Sequence, residues 1–271
     1  MGDRKGCACG YLRFTGTELG FCQDQFQVSS FKFRRKISNQ AWGMRNQELR
    51  LAARQQANRF LTMKILVVAS SKRIQRQLAE QARDEGHEVT VLERKARRFW
   101  RRRTQHRVVT GDVLNERSLA PALAGQEAVV CWLTQRATRQ PTTYLWEGTA
   151  NLIRMMEKHG VKRLICISAC GAGDSRGHCG FFFDKIVQPL FLKQVYEDRD
   201  RQEELIRGTQ LEWVIVRPAR LKKGRPRGEY MVLTDLRNFK ARRIALLDAV
   251  EFALKQLKSN FYLFQAPMVT Y

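Results

Sequence analysis

The chain has 271 residues, 44% of them hydrophobic, which is enough to bury a sizeable core and suggests one large domain or one domain with an appendage. No apolar run approaches the ~18 residues of a membrane-spanning helix, so the sequence reads as globular and soluble, without a membrane span. The formal net charge of +23 is high for a metabolic enzyme and predicts attraction to phosphates on nucleotides, nucleic acid or anionic lipid.

In chain order, residues 1–62 lack clear periodicity until about Asn46 and carry 11 Lys or Arg against 4 Asp or Glu. They read as a basic extension: sequence upstream of a start at Met63, an Arg-rich organellar targeting segment on an otherwise cytoplasmic protein, or a basic arm. From Met63 the texture changes to short apolar runs alternating with amphipathic stretches, the signature of βαβ units around a parallel sheet. Strands are predicted at 64–69, 89–92, 108–110, 128–133, 164–168 and 213–216. Helices are predicted at 74–84, 117–123, 143–159 and 194–207. Six alternating strands with right-handed crossovers define a doubly wound, Rossmann-like α/β sheet with helices on both faces, a ligand at the carboxyl ends of its strands, and a small C-terminal substrate-side segment.

The densest cationic stretch, KARRFWRRR at 95–103, interleaves Phe99 and Trp100 with cations. It fits a solvated loop, or a nucleic-acid contact as a secondary partner. Seven cysteines form no CxxC pair and fit a reducing compartment best. Cys7, Cys9 and Cys22 lack the spacing and fourth ligand of a zinc module, so no metal is expected.

The first strand-to-helix turn, Ala69 to Gln75, stands where a nucleotide-binding fold places its glycine-rich phosphate loop, yet contains no glycine. Glycines there let backbone amides approach a pyrophosphate, and Ala69, Lys72 and Gln75 should crowd that approach. Ser70 and Ser71 can instead donate hydroxyl hydrogen bonds, and Lys72 or Arg73 can neutralise phosphate; a plain helix start capped by Ser71 is the other reading. At the end of strand two, Glu93 would accept from a free ribose 2′-hydroxyl and favour NAD, whereas Arg94, with Arg97 and Arg98, would clamp a 2′-phosphate. The surplus of cations favours NADP. Asp112 after strand three can face the adenine pocket or cap the next turn. Leu133 and Thr134 after strand four, and Ser168 after strand five, reach the edge where a nicotinamide would lie.

The segments KILVVASSKRIQRQL, GHEVTVLER, VVTGDVLN, QPTTYLWEGTANLIRMMEKHGVKRLICISACGAGDSRGH and LEWVIVRPARL, in that order, resemble the NAD(P)H-binding, NmrA-like and flavin reductase-like branch of atypical short-chain dehydrogenases over roughly residues 63–271. The resemblance implies a dinucleotide site built by Ser70, Ser71, Lys72, Arg73 and Ile74, with Arg94, Asp112, Thr134, Ser168 and the Arg217-Pro218-Ala219 segment. Two positions depart from the family: the GASGxIG-like turn has lost every glycine, and no Tyr-x-x-x-Lys pair is present, since Tyr196 is followed by Arg199 and Asp200 and Tyr144 has no lysine four residues on. Such a pair lowers the tyrosine pKa for general-acid work. Without it, Ser168 and Tyr196 are the hydroxyl donors left for catalysis, and a small planar acceptor of flavin or quinone type, which takes its proton from water, fits best. A catalytically silent NAD(P)-sensing or regulatory protein is the alternative, and a basic nucleic-acid-associated protein on a Rossmann scaffold is the third reading. The stretch 171–192 should cover the substrate side, with Phe181 to Phe183 as an apolar lid or simple packing; His178 and Cys179 are expected to be loop residues.

Overall fold

The computed structural model describes residues 62–94 and 106–271. The basic extension, Cys7, Cys9, Cys22, Arg97, Arg98 and the KARRFWRRR stretch lie outside the described residues.

Strand β1 (Lys64–Ala69) forms because KILVVA is apolar at four successive positions, as a strand buried on both faces must be. It pairs in parallel with β2 (Glu88–Glu93) on one side and β4 (Ala128–Trp132) on the other. Outside these lie β3 (Arg107–Thr110), β5 (Arg163–Ile167) and β6 (Glu212–Pro218), so the first six strands run in the order 3-2-1-4-5-6. The chain then contributes β7 (Arg220–Lys222), β8 (Met231–Leu233), β9 (Arg243–Ala245) and β10 (Met268–Thr270). Strand β10 extends the sheet in parallel beside β6, β8 closes it antiparallel, and β7 pairs with β9 apart from it.

Alternation along β1 assigns the layers. Ile65 and Val67 face helices α1 (Lys72–Asp84) and α6 (Leu246–Lys255), which bury Leu78, Ala79, Ala82, Val250 and Ala253 there. Leu66 and Val68 face α2 (Glu116–Leu123), α3 (Tyr144–Lys158) and α5 (Lys193–Arg207). A short helix α4 (Gln188–Phe191), continuing a π-helical turn at Phe183–Val187, precedes α5. The six predicted strands and four predicted helices are present within two residues of their expected ends. Strands β7 to β10 and helices α4 and α6 add to them.

The loops after β1 and β4 leave in opposite directions because the strand order reverses between them. A doubly wound sheet opens its ligand crevice at such a point. There the Thr134 amide donates to the Ser70 hydroxyl oxygen (3.2 Å), which also lies 3.0 Å from the Tyr144 hydroxyl. Helix α3, which carries Tyr144, is fixed from α5: the fully buried Asp198 carboxylate accepts from the amides of Leu145 (2.8 Å) and Trp146 (3.0 Å). Acceptors at a helix N-terminus satisfy amides that have no partner within the helix. Among the described residues no helix is long and apolar enough to cross a membrane.

Candidate functional site

At the carboxyl ends of β1 to β4 the structure opens a cleft of about 600 Å³. Val68, Leu92, Val113 and Leu133 make an apolar wall, and Ser70, Lys72, Glu93, Arg94, Asp112 and Tyr144 bring polar groups to it. Gly111 lets the wall pack closely against α2, since a Cβ there would meet Leu92 Cδ1 and the Ser118 carbonyl at 2.8 Å each. An apolar cavity of this size with a few convergent polar groups has the usual form of a small-molecule site.

The glycine-free turn resolves into separate parts. Ser71 is the N-cap of α1 but makes no side-chain capping bond, so the first amides of the helix, and its positive dipole end, are left for an anion at the cleft mouth. Lys72, in the first turn, lines the cleft and makes no ion pair among the described residues. Gln75 does not project across the turn: it is buried and its Nε2 donates to the Leu92 carbonyl (2.7 Å), tying α1 to the end of β2. Arg73 is exposed and Ile74 packs into the core beneath the turn.

At the far end of the cleft Arg94 Nε is 2.8 Å from Asp112 Oδ2. The other Asp112 oxygen accepts from the Leu114 amide (3.1 Å), so this carboxylate both shapes the turn after β3 and steadies the arginine. Glu93 lines the same end, half-buried. These groups fit the adenosine half of a dinucleotide: an apolar slot for the base, a cation and carboxylates at the ribose, and a helix N-terminus with a lysine at the phosphates.

The remaining expected site residues lie elsewhere. Ser168 is buried and its hydroxyl donates to Glu203 Oε1 at 2.5 Å. Glu203 in turn accepts from the fully buried Arg217 through Nε (3.1 Å) and Nη2 (2.5 Å), and Arg217 Nη1 reaches Asp174 at 2.6 Å. Paired carboxylates raise the pKa of Arg217 despite burial that works the other way, so it stays charged. The reading of Ser168 as a substrate-facing donor and of Arg217 as a cofactor contact is therefore corrected: both are consumed in a buried ionic network clamping β5, β6 and α5. Pro218 and Ala219 close the end of β6 and do not line the cleft. Tyr196 is buried, its hydroxyl donates to the Cys170 carbonyl (2.9 Å), and burial raises its pKa. It edges a separate cavity of about 210 Å³ with Arg176, Asp184, Gln188 and Lys193. In this arrangement Tyr196 is a poor general acid, because its proton is engaged and held more tightly than in water.

Sequence reasoning also missed a disulfide. Cys170 and Cys179 are joined, nine residues apart with Cα atoms 6.1 Å apart, whereas the strand cysteines Cys131 and Cys166 are free and buried. Nothing in the spacing announced the pair, and it does not fit the reducing compartment expected from cysteine usage. It ties the loop after β5 to the stretch that covers Tyr196. His178 is likewise engaged, with Nδ1 2.9 Å from the Phe239 carbonyl. Tyr144, which has no lysine four residues on, is brought to the cleft by its place at the start of the helix after β4, and that position is the signal the sequence offers for it.

A doubly wound sheet with a polar-rimmed apolar cleft at its switch point defines a nucleotide-binding α/β protein. Residues 71–260 match the model of the NAD(P)H-binding family, and the chain belongs to that family. A stretch of 115 residues is 35% identical to the photosystem II assembly factor Ycf39 of a Synechocystis strain, covering 41% of this chain and 35% of that protein. The match thus spans about a third of its relative's length. Among solved structures, ChuY, an anaerobilin reductase from Escherichia coli O157:H7, superposes with a TM-score of 0.63 at 18% identity, over 76% of this chain and 97% of that one. A short-chain dehydrogenase/reductase from Veillonella parvula in complex with NADP gives 0.62 at 14% identity, over 77% and 95%. At these identities the structural likeness speaks for the fold.

Proposed function

We propose that the protein is an NADPH-dependent reductase of a small planar acceptor of flavin or quinone type. The observation that carries this reading is the switch-point cleft with cations at both polar ends, Lys72 at the helix N-terminus and Arg94 beside Asp112. Bound NADPH would supply a hydride. Lys72 and the uncapped amides of α1 hold the phosphates, Arg94 meets a 2′-phosphate at the cost of its exposed contact to Asp112, and Leu92 and Val113 exclude water from the base. Lys72, which makes no ion pair among the described residues, and Arg94, whose contact to Asp112 is exposed, together outweigh Glu93 and favour NADP over NAD. Tyr196 and Ser168 are engaged internally, so the protein's part is to orient the acceptor, and the acceptor's proton comes from water. The NADP complex of a fold relative supports the same cofactor.

The test is NADPH oxidation by the full chain with riboflavin, FMN or a soluble benzoquinone as acceptor. Saturable turnover with at least one of them is expected, and a Lys72→Ala variant should raise KM for NADPH. Tight NADPH binding with no turnover on any acceptor would favour the second reading, a dinucleotide sensor. Two observations support that alternative: the internally engaged hydroxyls, and a relative named for assembly rather than for a reaction.

A further inference from the structure

Residues 181–191 are helical and invert the usual amphipathic pattern. Two polar side chains point inward, although Lys185 is exposed: Gln188 is buried with Nε2 donating to the Gly171 carbonyl (2.8 Å), and the half-buried Asp184 accepts from the Cys179 amide (3.3 Å). The large apolar side chains point outward, with Phe181 74%, Phe182 66%, Leu190 66% and Phe191 56% exposed and Ile186 beside them. The ridge is held firmly, by the Gln188 bond, by the Cys170–Cys179 disulfide at its base and by Phe183 packed edge-on against Tyr196. A contiguous exposed apolar surface of this kind marks a docking site.

The most basic part of the described chain reaches the base of the ridge at Lys240 and Ala241. Residues 220–243 hold nine Lys or Arg against two acidic residues, among them the exposed Lys223, Arg225, Arg227, Lys240, Arg242 and Arg243. This segment is joined directly to the base of the ridge: Lys240 Nζ donates to the Gly177 carbonyl (3.2 Å), and the Ala241 amide to the His178 carbonyl (2.7 Å).

We propose that this face docks on an anionic lipid bilayer, with the 181–191 ridge entering the headgroup boundary and the 220–243 segment meeting lipid phosphates. Charge complementarity selects this occupant. A second copy would set one basic segment against another, and residues 1–62 are themselves basic, so neither complements the face. Nucleic acid would satisfy the cations, but it stacks on aromatic rings and gains nothing from Ile186 and Leu190. An apolar ridge of Phe, Ile and Leu flanked by Lys and Arg is the composition of an interfacial helix. The proposal is independent of the dinucleotide reading, since it uses none of the cleft residues.

The experiment is flotation of the full chain with vesicles of phosphatidylcholine alone and of phosphatidylcholine with phosphatidylglycerol in equal parts. The protein should float with the mixed vesicles and not with the neutral ones. Phe181→Ser, Phe182→Ser and Leu190→Ser together should weaken binding on the order of a hundredfold, with thermal unfolding unchanged because all three side chains are exposed. Lys223→Gln, Arg225→Gln and Arg242→Gln should weaken it as well and flatten its salt dependence. Three results overturn the proposal: no flotation with anionic vesicles, flotation that ignores the serine variants, or RNA that displaces the vesicles and binds through the same cations. Concentration-dependent self-association abolished by the serine variants would identify a second copy instead and would equally overturn it.

Discussion

Replacing Glu203 by Gln should break the buried ion pair that joins α5 to β6. The Glu203 carboxylate, 2% exposed, accepts from Ser168 and twice from Arg217, which is 0% exposed. Gln keeps the shape but removes the charge, leaving a buried guanidinium whose other carboxylate, Asp174, is largely exposed and screened by water. Breaking a buried ion pair from one side costs about 3–5 kcal/mol, and that is the loss expected for Glu203→Gln in urea unfolding at neutral pH with an unchanged m-value. Ser168→Ala removes one hydrogen bond to a charged acceptor and should cost about 1.5–3 kcal/mol, while NADPH affinity and turnover stay as in the wild type. A Glu203→Gln variant within about 0.5 kcal/mol of wild type, an ordinary surface effect, would refute the buried-network account. So would a Ser168→Ala variant that keeps full stability but loses turnover, since that would return the hydroxyl to the substrate.

Lys72→Gly should weaken NADPH binding about tenfold through loss of one charge-assisted contact; tighter binding by calorimetry would show that the side chain blocks the phosphates instead. Asp112→Asn should free Arg94 and remove a negative charge from the ribose end, raising the NADPH to NADH affinity ratio, and an unchanged ratio would place the 2′-phosphate elsewhere. His87 is buried, with Nδ1 accepting from the Met63 amide (3.2 Å), and burial followed by the nearby Lys258 lowers its pKa below the ordinary 6.5 of a histidine. The unfolded chain therefore takes up the proton first, so this contribution to stability is present above about pH 6.5 and is lost as the pH falls below it. His87→Asn keeps an acceptor for Met63 without titrating, and its Tm should fall less than the wild type's between pH 7 and pH 5; parallel falls would contradict the assignment.

The six parallel strands were legible because runs such as KILVVA and RLICI are long enough and apolar enough to mark buried strands. Strands β7 to β10 are three residues each, shorter than any period-2 pattern can register, and they form only because the sheet and each other's edges are already there to pair with. Helix α6 did carry its signal, with Leu246, Ala249, Val250, Ala253 and Leu254 on one face. That Lys72, Glu93, Arg94 and Asp112 line the cleft was legible because the end of a strand fixes where its next residues go. Ser168, Arg217 and Tyr196 misled for a related reason: position after a strand is readable, but whether a hydroxyl turns toward the cleft or back to Glu203 depends on a partner 35 residues away. The disulfide was hidden in the same way, because it depends on how the Gly171–Gly180 loop folds back.

The central claim is that the switch-point cleft holds NADPH through Arg94 and Lys72. Calorimetric titration of the full chain with NADPH and NADH, at low and moderate salt, tests it most directly when repeated on Arg94→Ala. The account predicts saturable one-to-one binding that survives moderate salt and prefers NADPH, with the preference falling about tenfold in Arg94→Ala. Binding that vanishes as salt rises, or a cofactor preference indifferent to Arg94, would contradict it.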